Sequence, residues 1–333
     1  MRLITLSRLG AVALAVLWVL PASTAMAQQV NVPEQNDNLQ LPQEEVEDTD
    51  DRTTVLGVTV SERGVLSLSG MDANDWSALA GVSDVRDLIL DGASITDLSP
   101  LASMRGVEMI SISDTSVTDL APLAELRSLR HLYFNGTPIT DLGPIAGMTW
   151  LEDIGADDTL IEDLAPLARL TNLRRLSVRG TLVSDLSPLQ DMRALNWLNV
   201  ADSLVSDITV VRRFEVMHEL TLGGTMVTDL SPLSELFVMK ILHLDGTFVQ
   251  DLTPLSDLDL LVELNLGLTA VSDVRPLGEM DNLRFLDLSA TAVTDVAPLA
   301  KLERLRELRL QGAAVEDFSP LNPRIAAGLK VQR

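Results

Sequence analysis

The sequence predicts an α/β repeat solenoid, with a curved parallel β-sheet on its concave side and short 3₁₀ or α turns on its convex side. Three observations carry this. Asp recurs as Asp75, Asp97, Asp119, Asp141, Asp163, Asp185, Asp207, Asp229, Asp251, Asp273, Asp295 and Asp317, a step of 22 residues with no insertion. Pro stands three residues after the Asp in ten of the twelve copies, with Ala78 and Val210 in its place in the other two. Hydrophobic residues make up 46% of the 333-residue chain but aromatics only 3%, so the core is aliphatic. A fixed period of this size marks a stack of small units, none of which can bury its apolar face alone.

One unit shows how the stack is built. In Leu173-x-x-Leu176-x-Val178-x-x-Thr181-x-Val183-x-Asp185-Leu186-x-Pro188-Leu189-x-x-Met192, the stretch around Leu176 and Val178 alternates with strand period. The spacing of three in Leu186, Leu189 and Met192 suits a 3₁₀ or short α turn. Each unit is therefore one strand, a turn, and a tight helical return.

This pattern resembles the leucine-rich repeat family, and the constant 22-residue length with its D-L-x-P-L tail is similar to the internalin-like bacterial class. The likeness covers about residues 63–323. It implies a non-enzymatic protein-binding scaffold. One departure is systematic. The family often places Asn after the strand, bonding backbone in adjacent coils. Here Thr115, Thr137, Thr159, Thr181, Thr225, Thr247, Thr269 and Thr291 stand there, with Ser203, and Met71, Ala93 and Ala313 take over in the outermost copies. A Thr ladder is expected to replace the Asn ladder, since a hydroxyl both donates and accepts.

Along the chain, residues 1–27 read as a secretory signal. Arg2 and Arg8 form the positive region, Leu9 to Leu20 the apolar one, and Ala25-Met26-Ala27 the cleavage site. Residues 28–52 hold eight acids against Arg52 and are expected to be a disordered acidic linker. Residues 53–62, with Val55, Val58 and Val60, are expected to form an N-terminal cap strand or hairpin. Twelve repeats follow over 63–323, and 324–333, with Leu329 and Val331, form a C-terminal cap.

The Asp column, Asp97 to Asp295 in the inner copies, is expected to be a structural ladder. Each Asp precedes a helical turn, where a carboxylate can accept free backbone N–H bonds. The Pro fits the first turn because its missing N–H needed no partner. Capping is preferred to a calcium ladder, because calcium takes about six or more oxygen ligands per ion. No metal site or cofactor is expected.

The chain carries −23 net. Residues 1–27 hold two arginines and no acid, and 28–52 hold eight acids and one arginine, which leaves −18 for the repeats and caps. A nucleic-acid surface is disfavoured, because phosphate binding needs excess Lys and Arg. The absence of cysteine excludes disulfides and thiol chemistry, and 3 histidines and 1 tyrosine supply little acid–base chemistry. No enzyme activity is expected, and no stable membrane insertion after signal cleavage.

Partner choice should be written where the repeat stops repeating, on the outward strand positions. Candidate partner-binding residues are His131, Tyr133, Trp197, Asn199, His243 and Phe285, with Trp197 as an exposed anchor. His218 sits at the start of its strand. The register also sets Glu152 beside Arg174, Asp153 beside Arg175 and Asp157 beside Arg179, as cross-strand ion pairs. His131 and His243 lie five strands apart, too far to share a metal. The expected function is an exported protein-binding monomer, periplasmic or secreted. A glycan or cell-envelope binder and a cation-stabilised surface protein are the alternatives. Val210 to Arg213, where the Pro is missing, is read as a bend, a second contact patch, or drift at a tolerant turn.

Overall fold

The computed structural model describes residues 53–333; the predicted leader and acidic linker, residues 1–52, lie outside the described residues. Thirteen strands form one parallel sheet in sequence order, from Val65–Ser67 to Lys330–Gln332. Each strand has three residues, and twelve of them follow the 22-residue register, as in Arg175 beside Trp197 and Trp197 beside Glu219. The final step departs from it, because Glu307 pairs with Lys330 across 23 residues.

Every inner coil buries the same inward set, and the first and last coils leave part of theirs half-buried, as at Met71 and Val315. In the unit from Leu173, the set is Leu173, Leu176, Val178, Thr181, Val183, Leu186, Leu189 and Met192. Their apolar members join one continuous aliphatic core running the length of the stack. Each fully buried Leu or Val contributes about 1.5–3 kcal/mol, so the repetition of one modest unit stabilises the whole. The return path is a 3₁₀ turn in every coil, Ser187–Leu189 in this one, with Pro188 at its start. Without Pro, Thr209–Arg213 still forms a 3₁₀ turn, with Val211 buried. The missing ring thus leaves the stack unbroken, because Asp207 and Val211 keep the turn anchored at both ends.

The Asp column organises these turns. Asp185 Oδ1 accepts the Ser187 N–H at 2.8 Å, and the same bond to the residue two further on recurs in all twelve copies, Asp75 to Asp317. Asp119 takes the Ala121 N–H at 2.8 Å, Asp141 the Gly143 N–H at 2.7 Å and Asp295 the Ala297 N–H at 2.8 Å. The carboxylate closes a small side-chain turn ahead of the helical return. This bond stays within one coil. Asp97, Asp119, Asp141, Asp163, Asp185, Asp207, Asp229, Asp251, Asp273 and Asp295 are therefore separate copies of one local cap, repeated at the 22-residue step. The carboxylate stands just ahead of the turn, where the free N–H two residues on is the donor at hand.

The Thr column differs from the expected ladder. Thr181 Oγ1 donates to the Val178 carbonyl of its own coil at 2.6 Å, and Thr115 through Thr291 repeat this, with Ser203 bonding Val200 likewise. The bond is three residues back in the same coil, not across coils. The hydroxyl is taken up by the carbonyl of its own coil, and the backbone already joins the coils: Gly180 N–H bonds Ala201 O at 2.9 Å and Leu182 N–H bonds Ile161 O at 2.9 Å.

One further column fixes the turn after the strand. The residue before each Thr position has left-handed φ in all twelve coils, from Gly70 at 65° to Gly312 at 76°. Gly or Asp fills ten of these positions, and Leu268 (59°) and Ala290 (53°) fill the others. A left-handed conformation costs a residue with a Cβ about 1–2 kcal/mol; Asp offsets part of this by local hydrogen bonding.

At the start of the stack, Thr54–Val55 and Val58–Thr59 form an antiparallel hairpin across Leu56 and Gly57, both of positive φ. Val55 and Val60 are buried against the first coil. At the far end, the short helix Asn322–Ala326 (α1) leads into the last strand, and Leu329 is buried.

Candidate functional site

The outward residues of the sheet group into four neighbourhoods. In the first, His131 Nδ1 lies 2.9 Å from Asp153 Oδ2. Tyr133 is half-buried against Gly155, its register partner, where a Cβ would stand 2.8 Å from the ring. Gly155 therefore forms a slot that holds the ring against the sheet. Burial, then the charge of Asp153, push the Tyr133 hydroxyl above its ordinary value.

In the second neighbourhood, the Arg175 guanidinium stacks over the Trp197 ring, 4.9 Å from its centroid. Trp197 is half-buried rather than fully exposed. Asn199 turns its Oδ1 to the Ala201 N–H at 3.1 Å, shaping its own coil.

The third holds His243, whose Nε2 lies 3.1 Å from Glu263 Oε1. This hydrogen bond raises the imidazole's pKa against the opposing effect of burial, and it lowers that of Glu263. Burial pushes the neighbouring Asp245 carboxyl up. In the fourth, Arg309 covers the Phe285 ring at 4.7 Å and also reaches Glu307 at 2.9 Å and Asp287 at 3.6 Å.

The expected ion pairs are re-dealt. Glu152 and Arg174 do meet, at 3.4 Å. Asp153 instead pairs backwards with His131, and Arg175 turns forward onto Trp197. Asp157 accepts the Ser177 hydroxyl and the Arg179 N–H, while the Arg179 guanidinium reaches Asp202 at 2.9 Å. In a stack each side chain has a neighbour on both sides at the same spacing, so the register alone does not choose between them. A largely buried carboxylate such as Asp157 takes short, directional donors from the next strand and leaves the long guanidinium to reach further. Burial pushes the Asp157 carboxyl up.

The six candidate residues therefore do not form one compact patch. His131 and Phe285 stand seven strands apart, roughly 34 Å at about 4.8 Å per strand. His131 and Tyr133 share one strand; Trp197 and Asn199 share another; His243 lies two strands on. His218 is exposed just before the Glu219–Thr221 strand. Arg175 and Glu263, outward strand residues, complete two of these neighbourhoods with Trp197 and His243, and Gly155, which was not singled out in sequence, completes that of Tyr133. The signal for Gly155 was its 22-residue offset from Tyr133. Among the described residues, no three His, Asp or Glu side chains converge to hold a metal ion. No helix of the described residues is long and apolar enough to cross a membrane.

No protein-family model matches the chain, and no curated protein matches it. Solved structures do. The internalin InlF of Listeria monocytogenes superposes with a TM-score of 0.70 at 25% identity, covering 81% of this chain and 86% of that one. The fold is that of the leucine-rich repeat proteins. A leucine-rich repeat protein of Leptospira interrogans superposes with a TM-score of 0.65 at 15% identity, over 77% of this chain and 74% of that one. A plant peptide hormone receptor solved in complex with RGF2 gives 0.62 at 16% identity, over 77% of this chain and 44% of its own. In a leucine-rich repeat solenoid such as this one, inward positions are set by the core, and the sheet face is where residues are free to differ.

Proposed function

We propose that this chain is an exported, non-enzymatic scaffold of the internalin-like class that binds a partner protein on the concave sheet between Tyr133 and His243. The observation that carries this reading is the ordering of the aromatic anchors. Trp197 is fixed beneath Arg175, and Tyr133 lies in the Gly155 slot. Anchors already held in place lose little conformational freedom on binding, which favours affinity. Trp, Tyr and Arg also concentrate interface energy. The likeness to InlF supports the class, and a plant peptide hormone receptor of the same fold is solved in complex with RGF2. Export rests on the leader-like residues 1–27.

A glycan platform is favoured less, because Arg175 covers a face of Trp197 that a sugar ring would need. The Asp column needs no cation, since each carboxylate accepts its own backbone N–H.

The test is a crosslinking pull-down from native envelope and medium, followed by affinity measurement with the recovered protein. Trp197→Ala and Tyr133→Ala should each weaken binding at least tenfold, about 1.4 kcal/mol. Replacing Arg212 and Arg213, exposed in the return turn Thr209–Arg213, should leave it intact. Loss of the partner in the double Arg variant with retention in Trp197→Ala would place the interface on the convex side.

A further inference from the structure

A second surface lies off the sheet. Directly after each buried Thr comes one outward residue, then a buried Val or Ile. In five consecutive coils that outward residue is Leu160, Leu182, Leu204, Met226 and Phe248, each 45–62% exposed. Pro138 precedes this run and Ala270 follows it, so the large apolar side chains stop at both ends. Soluble proteins seldom leave such a contiguous apolar row uncovered without a use for it.

The row is rigid. The Leu182, Leu204, Met226 and Phe248 N–H groups each bond a carbonyl of the preceding coil at 2.9–3.1 Å. These bonds fix the row at coil spacing, about 4.8 Å per step and about 19 Å from first to last. Three residues further along each coil stands the Asp column, here Asp163, Asp185, Asp207, Asp229 and Asp251, all exposed. An apolar ridge and a negative ridge thus run side by side.

We propose that this flank docks a basic amphipathic helix of a partner protein, laid along the stack axis. An α-helix brings one residue of a given face round about every 5.4 Å, which drifts only about 0.6 Å per coil against the row. An extended strand repeats its face about every 6.7 Å and loses register within two coils. The apolar ridge of the helix meets the Leu–Met–Phe row, and a Lys or Arg ridge beside it meets the Asp column. A second copy of this chain is a poor occupant, since it would press another surface of the same −18 charge against the row. The site is separate from the concave reading and stands without it.

The experiment uses the full chain and a synthetic helical peptide of about 18 residues, with leucines on one ridge and lysines on the next. A second peptide carries glutamates in place of the lysines. The lysine peptide should bind, and Leu182→Ser with Leu204→Ser should weaken it at least tenfold at unchanged melting temperature. Added salt should weaken it as well, and the glutamate peptide should not bind. The proposal is overturned if the lysine peptide fails to bind at millimolar concentration. It is overturned equally if the double variant binds undiminished, or if the glutamate peptide binds as well. Sedimentation and flotation of the same variants decide the other occupants. Dimers of the native chain that the double variant abolishes would assign the row to self-association. Co-flotation with phosphatidylserine vesicles, lost in that variant, would assign it to a membrane. Should the double variant fold poorly, Leu204→Lys serves: it must repel the lysine peptide and leave the melting temperature intact.

Discussion

The buried Thr column and the exposed Asp column recur at the same interval, and each side chain makes one short bond to the backbone of its own coil. Their surroundings differ. Thr181 is 3% exposed, whereas Asp185 lies open to solvent. A bond lost in the core leaves a carbonyl that water cannot reach, while a bond lost at the surface is replaced by water. Repetition alone therefore does not measure energetic weight. Burial does.

The largest test of this contrast is Thr181→Val, which keeps the shape and removes the donor. The hydroxyl is the hydrogen-bond donor found for the Val178 carbonyl, so the loss should be about 1–3 kcal/mol in denaturant melts. Thr225→Val should cost less, because the Leu222 carbonyl also accepts the Thr225 N–H at 3.2 Å. Equal effects at both sites would show that the hydroxyl, and not the satisfied carbonyl, sets the cost.

The left-handed column lies between these extremes and predicts a gain. Leu268 holds φ of 59° with its side chain 70% exposed, so Leu268→Gly relieves strain while uncovering little. A stabilisation of about 1 kcal/mol is expected, offset in part by the greater freedom of glycine in the unfolded chain. A fall in melting temperature would mean that Leu268 packs usefully on the flank.

Asp185→Ala should cost about 0.5–1 kcal/mol, the usual value of a solvated cap. The same substitution at Asp119, Asp141 or Asp295 should cost no more, because each is exposed and makes only the backbone bond, whereas Asp185 also accepts the Ser187 hydroxyl at 2.8 Å. A loss as large as that of Thr181→Val would erase the distinction between the two columns.

The smallest expected effect is in pH. The Arg275 guanidinium, then its backbone N–H, lower the Asp273 carboxyl to about 2. The hydroxyl and then the N–H of the residue two further on hold Asp97, Asp207 and Asp251 below the ordinary 3.8. A depressed folded pKa contributes stability above the unfolded value that is lost as pH falls through the folded one. Melting temperature should therefore decline between about pH 4 and 2, and Asp273→Asn should flatten that decline. In the His243–Glu263 bond the lowered Glu263 follows the Asp trend, and His243 acts the other way. Its raised imidazole pKa contributes fully below 6.5 and is lost as pH rises through the folded value. Thr181→Val should leave both slopes unchanged.

Much of this architecture was legible from residue spacing. The 22-residue step marked out the strands, the return turns and the inward set, and the D-L-x-P tail placed the carboxylate ahead of each turn. The candidate surface was legible as positions and not as contacts. Trp197 stood out as an outward aromatic, yet its cover by Arg175 did not, because Asp153 offered that arginine an equally spaced neighbour. The flank row was present in the sequence as Leu, Leu, Leu, Met, Phe at constant interval, at a position the repeat leaves variable.

What the sequence determined by itself was the period, and with it the fold, because a stack of identical coils has only one way to bury a 22-residue apolar pattern. What only the tertiary structure decided was direction: Thr181 back into its own coil, Arg175 onto the ring ahead, Asp153 back onto His131. Adjacent coils present each side chain with near-equal neighbours on either side. The choice between them rests on rotamer, reach and burial, which exist only once the coils are stacked.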